Sequence, residues 1–212
     1  MKSAARHVYT MRGRADSVAA TRDRIARAML TMALAQPYEE ITLAAIAQAA
    51  DVSHQTVLNH FGSKEGVALA AARQLAQETG KARAKARTGD IAGAIAVLVG
   101  EYERIGNANA RWAMSSDRLG SLAPQLDEAR AGHQMWLQRI FGGLLPKSAE
   151  AVRRAMLGLH AATDVYTWKL LRRDLRLTRQ ETEAVMADLV RGVLQQPRGR
   201  RRAGPGRTGG TS

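Results

Sequence analysis

The chain has 212 residues, a formal net charge of +13 at pH 7, 45% hydrophobic residues and only 4% aromatic residues. Because it contains no cysteine, disulfides, thiolate metal sites and a cysteine nucleophile are excluded, and no apolar run reaches the length of a membrane span. So few aromatic residues in an alanine-rich chain favour packed helices over sheets, and the positive charge predicts a polyanionic partner.

Positive charge is concentrated at the two ends of the chain. Residues 1–17 carry four basic residues against one acidic residue, and residues 197–212 carry five arginines in a low-complexity sequence. No apolar core follows the N-terminal charges, so this segment is not a secretory signal and we expect a cytoplasmic protein. Both segments are predicted to be disordered, as a basic arm and a basic tail.

The first predicted helix spans residues 18–36. Pro37 ends it, because the proline ring removes a donor and clashes with the preceding turn. Apolar residues recur along one stripe at helical spacing: Ile25, Ala28, Met29, Met32 and Ala33. We expect this helix to pack across the next two and complete a three-helix head over residues 18–62.

Two short helices joined by a tight turn follow the first helix. Thr42 and Ser53 are the expected N-caps, because each hydroxyl can accept an N–H of the following turn. Asp51 lies in the turn, where a left-handed backbone is often needed and aspartate tolerates it. The apolar positions predict one buried face: Leu43, Ile46, Ala47, Ala50, Val57 and Phe61.

The other face of the second short helix is polar. Glutamine and asparagine can pair bidentately with adenine and threonine can pack on the thymine methyl, so such a face can read bases in a DNA major groove. The alternative is a corner of an ordinary helical bundle with a solvated polar face. The residues of this face are His54, Gln55, Thr56, Asn59 and His60.

The segment from about Arg24 to Leu69 resembles the DNA-binding domain of the tetracycline-repressor (TetR) family. The resemblance implies that the helix after Ser53 enters the major groove and that Thr42 and Lys64 contact phosphate. The chain departs from the family pattern at Ala33, Pro37 and Leu58, the last replacing a frequent tyrosine that often contacts phosphate. The matching residues are Ile25, Ala28, Tyr38, Thr42, Ile46, Ala47, Ala50, Val52, Ser53, Thr56, Val57, His60, Phe61, Ser63, Lys64 and Glu65.

The remainder of the chain reads as a helical body over residues 63–196. Helices are predicted from Lys64 towards Arg87, from about residue 90 to 105, before Pro124, over residues 126–144, 148–173 and 178–195, with a turn at Gly106-Asn107. Thr178 and Glu181 form a complete capping-box pattern. The predicted fold class is therefore all-α, with a helix–turn–helix head and a C-terminal helical bundle.

The two last long helices have wide apolar stripes. Either they fill the core of a monomer, or they pair with the same helices of a second chain as a four-helix bundle. Two heads on a two-fold axis would read a palindromic operator with half-sites about one DNA turn apart. The resemblance implies this homodimer and a small, largely apolar effector.

The unusual polarisable side chains of the body are candidates for lining an effector pocket: Trp112, His133, Trp136 and His160. The alternative is that they are core or dimer-contact residues. The five histidines include no pair at metal-binding spacing, and no local signature of nucleophilic catalysis occurs, so we expect neither an enzyme nor a metal or cofactor site.

The sequence thus predicts a DNA-binding transcriptional regulator, a homodimeric repressor that an effector releases from its operator. The main alternative is a sequence-tolerant basic DNA-binding protein without a ligand switch, whose affinity comes from phosphate contacts. Base reading by Gln55 and Asn59 separates the two interpretations.

Overall fold

The computed structural model describes the backbone of residues 2–114 and 123–195, and the side chains from residue 16 onward within those ranges. Every regular element in these ranges is helical, which confirms the all-α prediction. None of their helices is both long and apolar enough to cross a membrane. The helices are α1 (Lys2–Ala35), α2 (Leu43–Ala49), α3 (His54–Phe61), α4 (Lys64–Arg83), α5 (Ile91–Met114), α6 (Ala123–Phe141), α7 (Ala149–Thr163), α8 (Val165–Lys169) and α9 (Arg179–Leu194).

The predicted caps are confirmed. The Thr42 hydroxyl accepts from the Ala45 N–H at 3.1 Å, and the Ser53 hydroxyl accepts from the Thr56 N–H at 3.0 Å. Asp51, between α2 and α3, has a φ of 51°, the left-handed conformation expected for it. The capping box of Thr178 and Glu181 opens α9 with both of its hydrogen bonds. Local side-chain chemistry therefore sets where these helices begin.

Two separate hydrophobic clusters hold the described residues together. The head cluster joins α1, α2 and α3 to the first half of α4, which contributes Val67, Ala68 and Ala71. The head core thus continues past residue 62, because the short helices α2 and α3 pack against α4 as well as α1. The body cluster joins α5 to α9 and is centred on large buried side chains: Ile95, Leu98, Leu137, Ile140, Phe141, Leu159 and Trp168.

The end of α5 connects the two clusters. Arg111 donates from Nη2 to the Leu34 carbonyl at 2.9 Å, satisfying a carbonyl at the C-terminal end of α1. The Trp112 ring packs against Tyr38 with 6.0 Å between ring centroids. The body is therefore joined to the head by a side-chain contact as well as by α4.

Disorder was predicted for both ends of the chain, and the structure describes the backbone of the N-terminal segment from Lys2. Helix α1 begins at Lys2, so the backbone of the expected disordered arm is helical. The reason is compositional, since residues 2–17 contain no proline and a single glycine, Gly13. The expected basic tail over residues 197–212 lies outside the described residues.

Three predicted helix boundaries in the body were wrong. Helix α4 ends at Arg83, short of Arg87. Helix α5 runs straight through the turn expected at Gly106-Asn107. The helix expected over residues 148–173 is interrupted at Asp164, which has an extended backbone (φ −69°, ψ 152°) and whose carboxylate caps α8 by accepting from the Tyr166 N–H at 2.8 Å. A capping aspartate competes with helix continuation, which the apolar periodicity does not reveal.

Candidate nucleic-acid interface

Helix α3 presents the predicted polar face. Val57 is fully buried behind it, while His54, Gln55 and Asn59 are exposed. Thr56 and His60 are half-buried at the edges of this face. Since the core holds the Val57 side, the opposite side of α3 is available to a groove.

Two pairs of polar residues on this face are bonded to each other. The Gln55 amide donates from Nε2 to Asn59 Oδ1 at 2.9 Å, one helical turn away. The hydroxyls of Ser53 and Thr56 lie 2.8 Å apart at the start of the helix. The Gln55–Asn59 bond therefore orders the two exposed amides relative to each other.

Thr42 and Lys64, the two residues predicted to contact phosphate, differ in whether the side chain is already engaged within the head. Thr42 is exposed at the start of α2, where backbone N–H groups also face outward. The Lys64 ammonium, by contrast, donates to the carbonyls of Tyr38 and Ile41 at 3.1 and 3.0 Å and lies 4.2 Å from the Tyr38 ring centroid. A phosphate contact of Lys64 must use its third N–H or replace one of these bonds.

One tertiary contact of the head was not predicted. Arg22 of α1 donates from Nη1 to the His60 carbonyl, and its guanidinium lies 4.4 Å from the centroid of the Phe61 ring. Sequence reasoning did not separate it from Arg24 and Arg27, because all three lie off the apolar stripe of α1. A tertiary contact between residues 38 positions apart has no local signature.

Three of the four predicted effector residues lie together in the body, beside the end of α4. The rings of His133 and Trp136 stack at 5.9 Å, and the His160 ring meets His133 edge-on at 5.2 Å. The Trp136 indole donates to the Arg83 carbonyl at 3.2 Å. Trp112 is not part of this group, because it packs in the contact between head and body.

A buried ion pair adjoins the same group. Arg83 donates from Nε and Nη2 to the two carboxylate oxygens of Glu101 at 2.7 and 2.9 Å, and both side chains are almost wholly buried. Arg83 Nη1 lies 3.0 Å from His133 Nδ1, and His133 Nε2 lies 2.9 Å from the Thr163 hydroxyl. Hydrogen bonds therefore run from Glu101 to Thr163 across α4, α5, α6 and α7.

The position of the His133 proton follows from its neighbours. Arg83 can only donate, so Nδ1 must accept. Thr163 directs its own hydroxyl proton to the Leu159 carbonyl at 2.7 Å, so it accepts from His133 Nε2–H. Burial, with the positive charge of Arg83 and the neighbouring His160 ring, lowers the pKa of His133 to about 3. The buried imidazole is therefore neutral at neutral pH.

Acid should weaken the fold through His133. The pKa of His133 is lower in the folded chain than in the unfolded chain, so between the two values only the unfolded chain binds the proton. The stability that neutral His133 contributes is therefore complete above about pH 6.5 and is lost progressively as the pH falls towards 3. In urea unfolding between pH 7.5 and 5.5, His133→Gln should flatten the pH dependence by up to about 1.4 kcal/mol per pH unit. The control His54→Gln, which removes an exposed histidine, should keep the pH dependence of the parent. An unchanged pH slope in His133→Gln would contradict this assignment.

A surface groove of about 430 Å³ lies on the head between α1 and the end of α2. Its lining residues are Arg24, Arg27, Ala28, Thr31, Met32, Ala49, Ala50 and Asp51. None of the four predicted effector residues borders it.

Comparison with known proteins places the head in a sequence family. Residues 25–71 match the model of bacterial regulatory proteins, tetR family. The chain is 49% identical over 49 residues to the HTH-type transcriptional regulator TcmR of Streptomyces glaucescens, covering 23% of this chain and 22% of that protein. It is 42% identical over 60 residues to the HTH-type transcriptional regulator AlkX of Mycobacterium tuberculosis, covering 28% of each. The chain thus aligns with about a quarter of the length of these relatives.

Solved structures extend the likeness to the fold of the body. A transcriptional regulator from Rhodococcus sp. Rha1 superposes with a TM-score of 0.67 at 22% identity, over 82% of this chain and 96% of that chain. A candidate tetR-family regulator from Mesorhizobium loti gives 0.63 at 18% identity, over 84% and 96%. At these identities the likeness is one of fold.

Proposed function

We propose that this chain, whose residues 25–71 match the model of bacterial regulatory proteins, tetR family, is a homodimeric repressor that a small-molecule effector releases from a palindromic operator. The observation that carries the proposal is the polar face of α3. It is exposed opposite a fully buried Val57, on the second of the two capped helices of a helix–turn–helix. The matched family and relatives point to transcriptional regulation rather than catalysis.

The proposed DNA contacts are of two kinds. Gln55, Asn59 and Thr56 read bases, because their amides and methyl group suit adenine and thymine edges. The remaining contacts meet phosphate or fix the register of α3 on the duplex. They come from Thr42, Ser53, His54, His60 and Lys64.

The proposed dimer pairs α7 and α9 with the same helices of a second chain. Leu157 of α7 is 57% exposed and Leu189 of α9 is 44% exposed, which leaves apolar side chains uncovered on both helices. The two helices already pack closely at Gly158 and Val193, where an added Cβ on Gly158 would lie 3.0 Å from the valine methyls. A second pair of helices would complete a four-helix bundle.

The proposed effector acts at the group formed by His133, Trp136 and His160. Trp136 and His133 contact Arg83 at the C-terminal end of α4, the helix that leads from the head to the body, and the His160 ring packs against His133. A ligand that binds the two arrangements of this end unequally would shift the population between DNA-binding and released states. Trp112, in the contact between head and body, would sense the change without touching the ligand.

A second function is favoured by one observation. A net charge of +13 with basic chain ends suits a protein that binds any DNA through phosphate contacts. Such a protein would not depend on the identity of the side chains on α3.

Selection of bound duplexes from a random DNA pool at near-physiological salt tests the proposal. The parent should enrich a palindrome with half-sites about one turn apart. The variant Gln55→Ala/Asn59→Ala should lose about 1–3 kcal/mol of discrimination per base contact, whereas Gln48→Ala, an exposed glutamine on α2, should select as the parent does. If the parent enriches no sequence, the charge-driven binder replaces the repressor. If the double variant enriches the parental palindrome equally, base reading lies elsewhere.

A further inference from the structure

We propose that Arg22 is a positioning residue for base reading, which holds the C-terminal end of α3 against α1. Its guanidinium donates to the His60 carbonyl and covers the Phe61 ring at 4.4 Å. The inference rests on the proposed function, in which α3 reads bases. Arg22 would act on DNA through the helix and not by touching the duplex.

Apart from Arg22, this end of α3 is held by Phe61, which is partly buried and packs against the head cluster. The helix is eight residues long, and Val57 is its one fully buried side chain. Its N-terminal end is fixed by the Ser53 cap and the turn at Asp51, whereas its C-terminal end leads into Gly62 at a φ of 75°. The last carbonyls of a helix have no partner within the helix and carry a partial negative charge. A guanidinium bonded to one of these carbonyls supplies a hydrogen-bond donor and a compensating positive charge.

A small tilt of α3 would displace Asn59, one of the residues proposed to contact bases. Eight residues span about 12 Å, so a rotation of about 5° about the N-terminal end moves the other end by about 1 Å. Asn59 is adjacent to His60 and lies at this far end. Bidentate pairing with a base requires closer placement than that.

The Arg22 side chain is exposed, but its guanidinium is already engaged within the head. One N–H is committed to the His60 carbonyl, and one face of the planar group lies on Phe61. Arg24 and Arg27 belong to the same helix, are exposed and border the groove beside α2. Arg24 therefore offers a control with the same loss of charge.

The first measurement needs no DNA. Amide hydrogen exchange in the last turn of α3 can be followed at Gly62, whose N–H donates to the Leu58 carbonyl at 2.8 Å. Arg22→Met should accelerate this exchange on the order of tenfold, because it removes a charge-assisted bond from a locally held element. Arg24→Met should leave the exchange unchanged. Equal exchange in the two variants overturns the proposal.

The second measurement uses the selected palindrome and a random duplex over a range of salt. Arg22→Met should bind the palindrome about tenfold more weakly and the random duplex as Arg24→Met does, with the same salt slope as that control. Arg22→Lys, which keeps a donor, should recover part of the lost affinity. If Arg22→Met weakens both duplexes alike and its salt slope falls by about 1 beyond the control, Arg22 is a phosphate ligand and the proposal is wrong.

The two measurements separate this inference from the proposed function. If the parent selects no palindrome, the proposed function fails and base positioning fails with it. The exchange comparison then still decides whether Arg22 holds α3.

Discussion

Replacing Arg83 with methionine should lower the free energy of unfolding by about 3–5 kcal/mol. The substitution leaves the Glu101 carboxylate buried without the two hydrogen bonds, at 2.7 and 2.9 Å, that now compensate for its loss of water. It also removes the donor to His133. Urea unfolding at pH 7 and fixed protein concentration measures the loss, since the proposed dimer would make apparent stability depend on concentration.

The same two helices provide a matched control. Arg104 of α5 and Glu78 of α4 form an exposed ion pair at 3.7 Å, with the side chains 60% and 46% exposed. Arg104→Met should therefore cost less than about 1 kcal/mol. If the free energy of unfolding falls by the same small amount in both arginine variants, the buried Arg83–Glu101 pair does not hold α4 to α5 as described. Glu101→Gln should fall between them, because it removes the charge and keeps an acceptor.

Replacing Trp168 with alanine should cost about 3–5 kcal/mol of unfolding free energy. The ring is fully buried in the body cluster and packs against Tyr102 at 5.8 Å between centroids. It also occupies the space beside Gly106 of α5, where an added Cβ would lie 2.4 Å from a ring carbon. Alanine would leave a cavity that the packed helices cannot close fully. Thermal or urea unfolding measures the loss.

A double-mutant cycle with Gly106→Ala tests the contact directly. In the parent, Gly106→Ala should cost about 1–3 kcal/mol, because the new methyl group meets the indole. With Trp168→Ala already present, the same change should be neutral or stabilising by up to about 1 kcal/mol, as expected for glycine to alanine within a helix. Additive effects would show that Gly106 does not make room for Trp168.

The features that the sequence predicted correctly are local. Thr42 and Ser53 were recognised as caps because a hydroxyl acts on N–H groups two or three residues away. Asp51 was recognised because few residues tolerate its backbone angles. The polar face of α3 followed from helical spacing alone, with Val57 on one side and Gln55 on the other.

The features that it missed depend on distant residues. Gly106 was predicted to lie in a turn, because no residue near it in the sequence indicates that the Trp168 indole, 62 positions later, packs against it. Trp112 read as a pocket residue, although its partner Tyr38 belongs to the head. Arg22 was indistinguishable from its neighbours until the His60 carbonyl was placed beside it. In each case the deciding contact forms only when the helices pack.

The anchoring of α4 at Arg83 makes the helix a lever arm. Side chains of α6 hold its end, with Arg139 and Trp136 both donating to the Arg83 carbonyl, at 2.9 and 3.2 Å. The arm from Arg83 to Lys64 is 20 residues, or about 30 Å. A rotation of about 5° at Arg83 therefore carries the Lys64 end through about 2.5 Å, close to the 3.4 Å step between bases along a DNA strand. In the proposed effector response, a sub-ångström rearrangement around His133 would be magnified into a displacement on the scale of one base step, and the Arg111–Leu34 contact between body and head would have to shift with it.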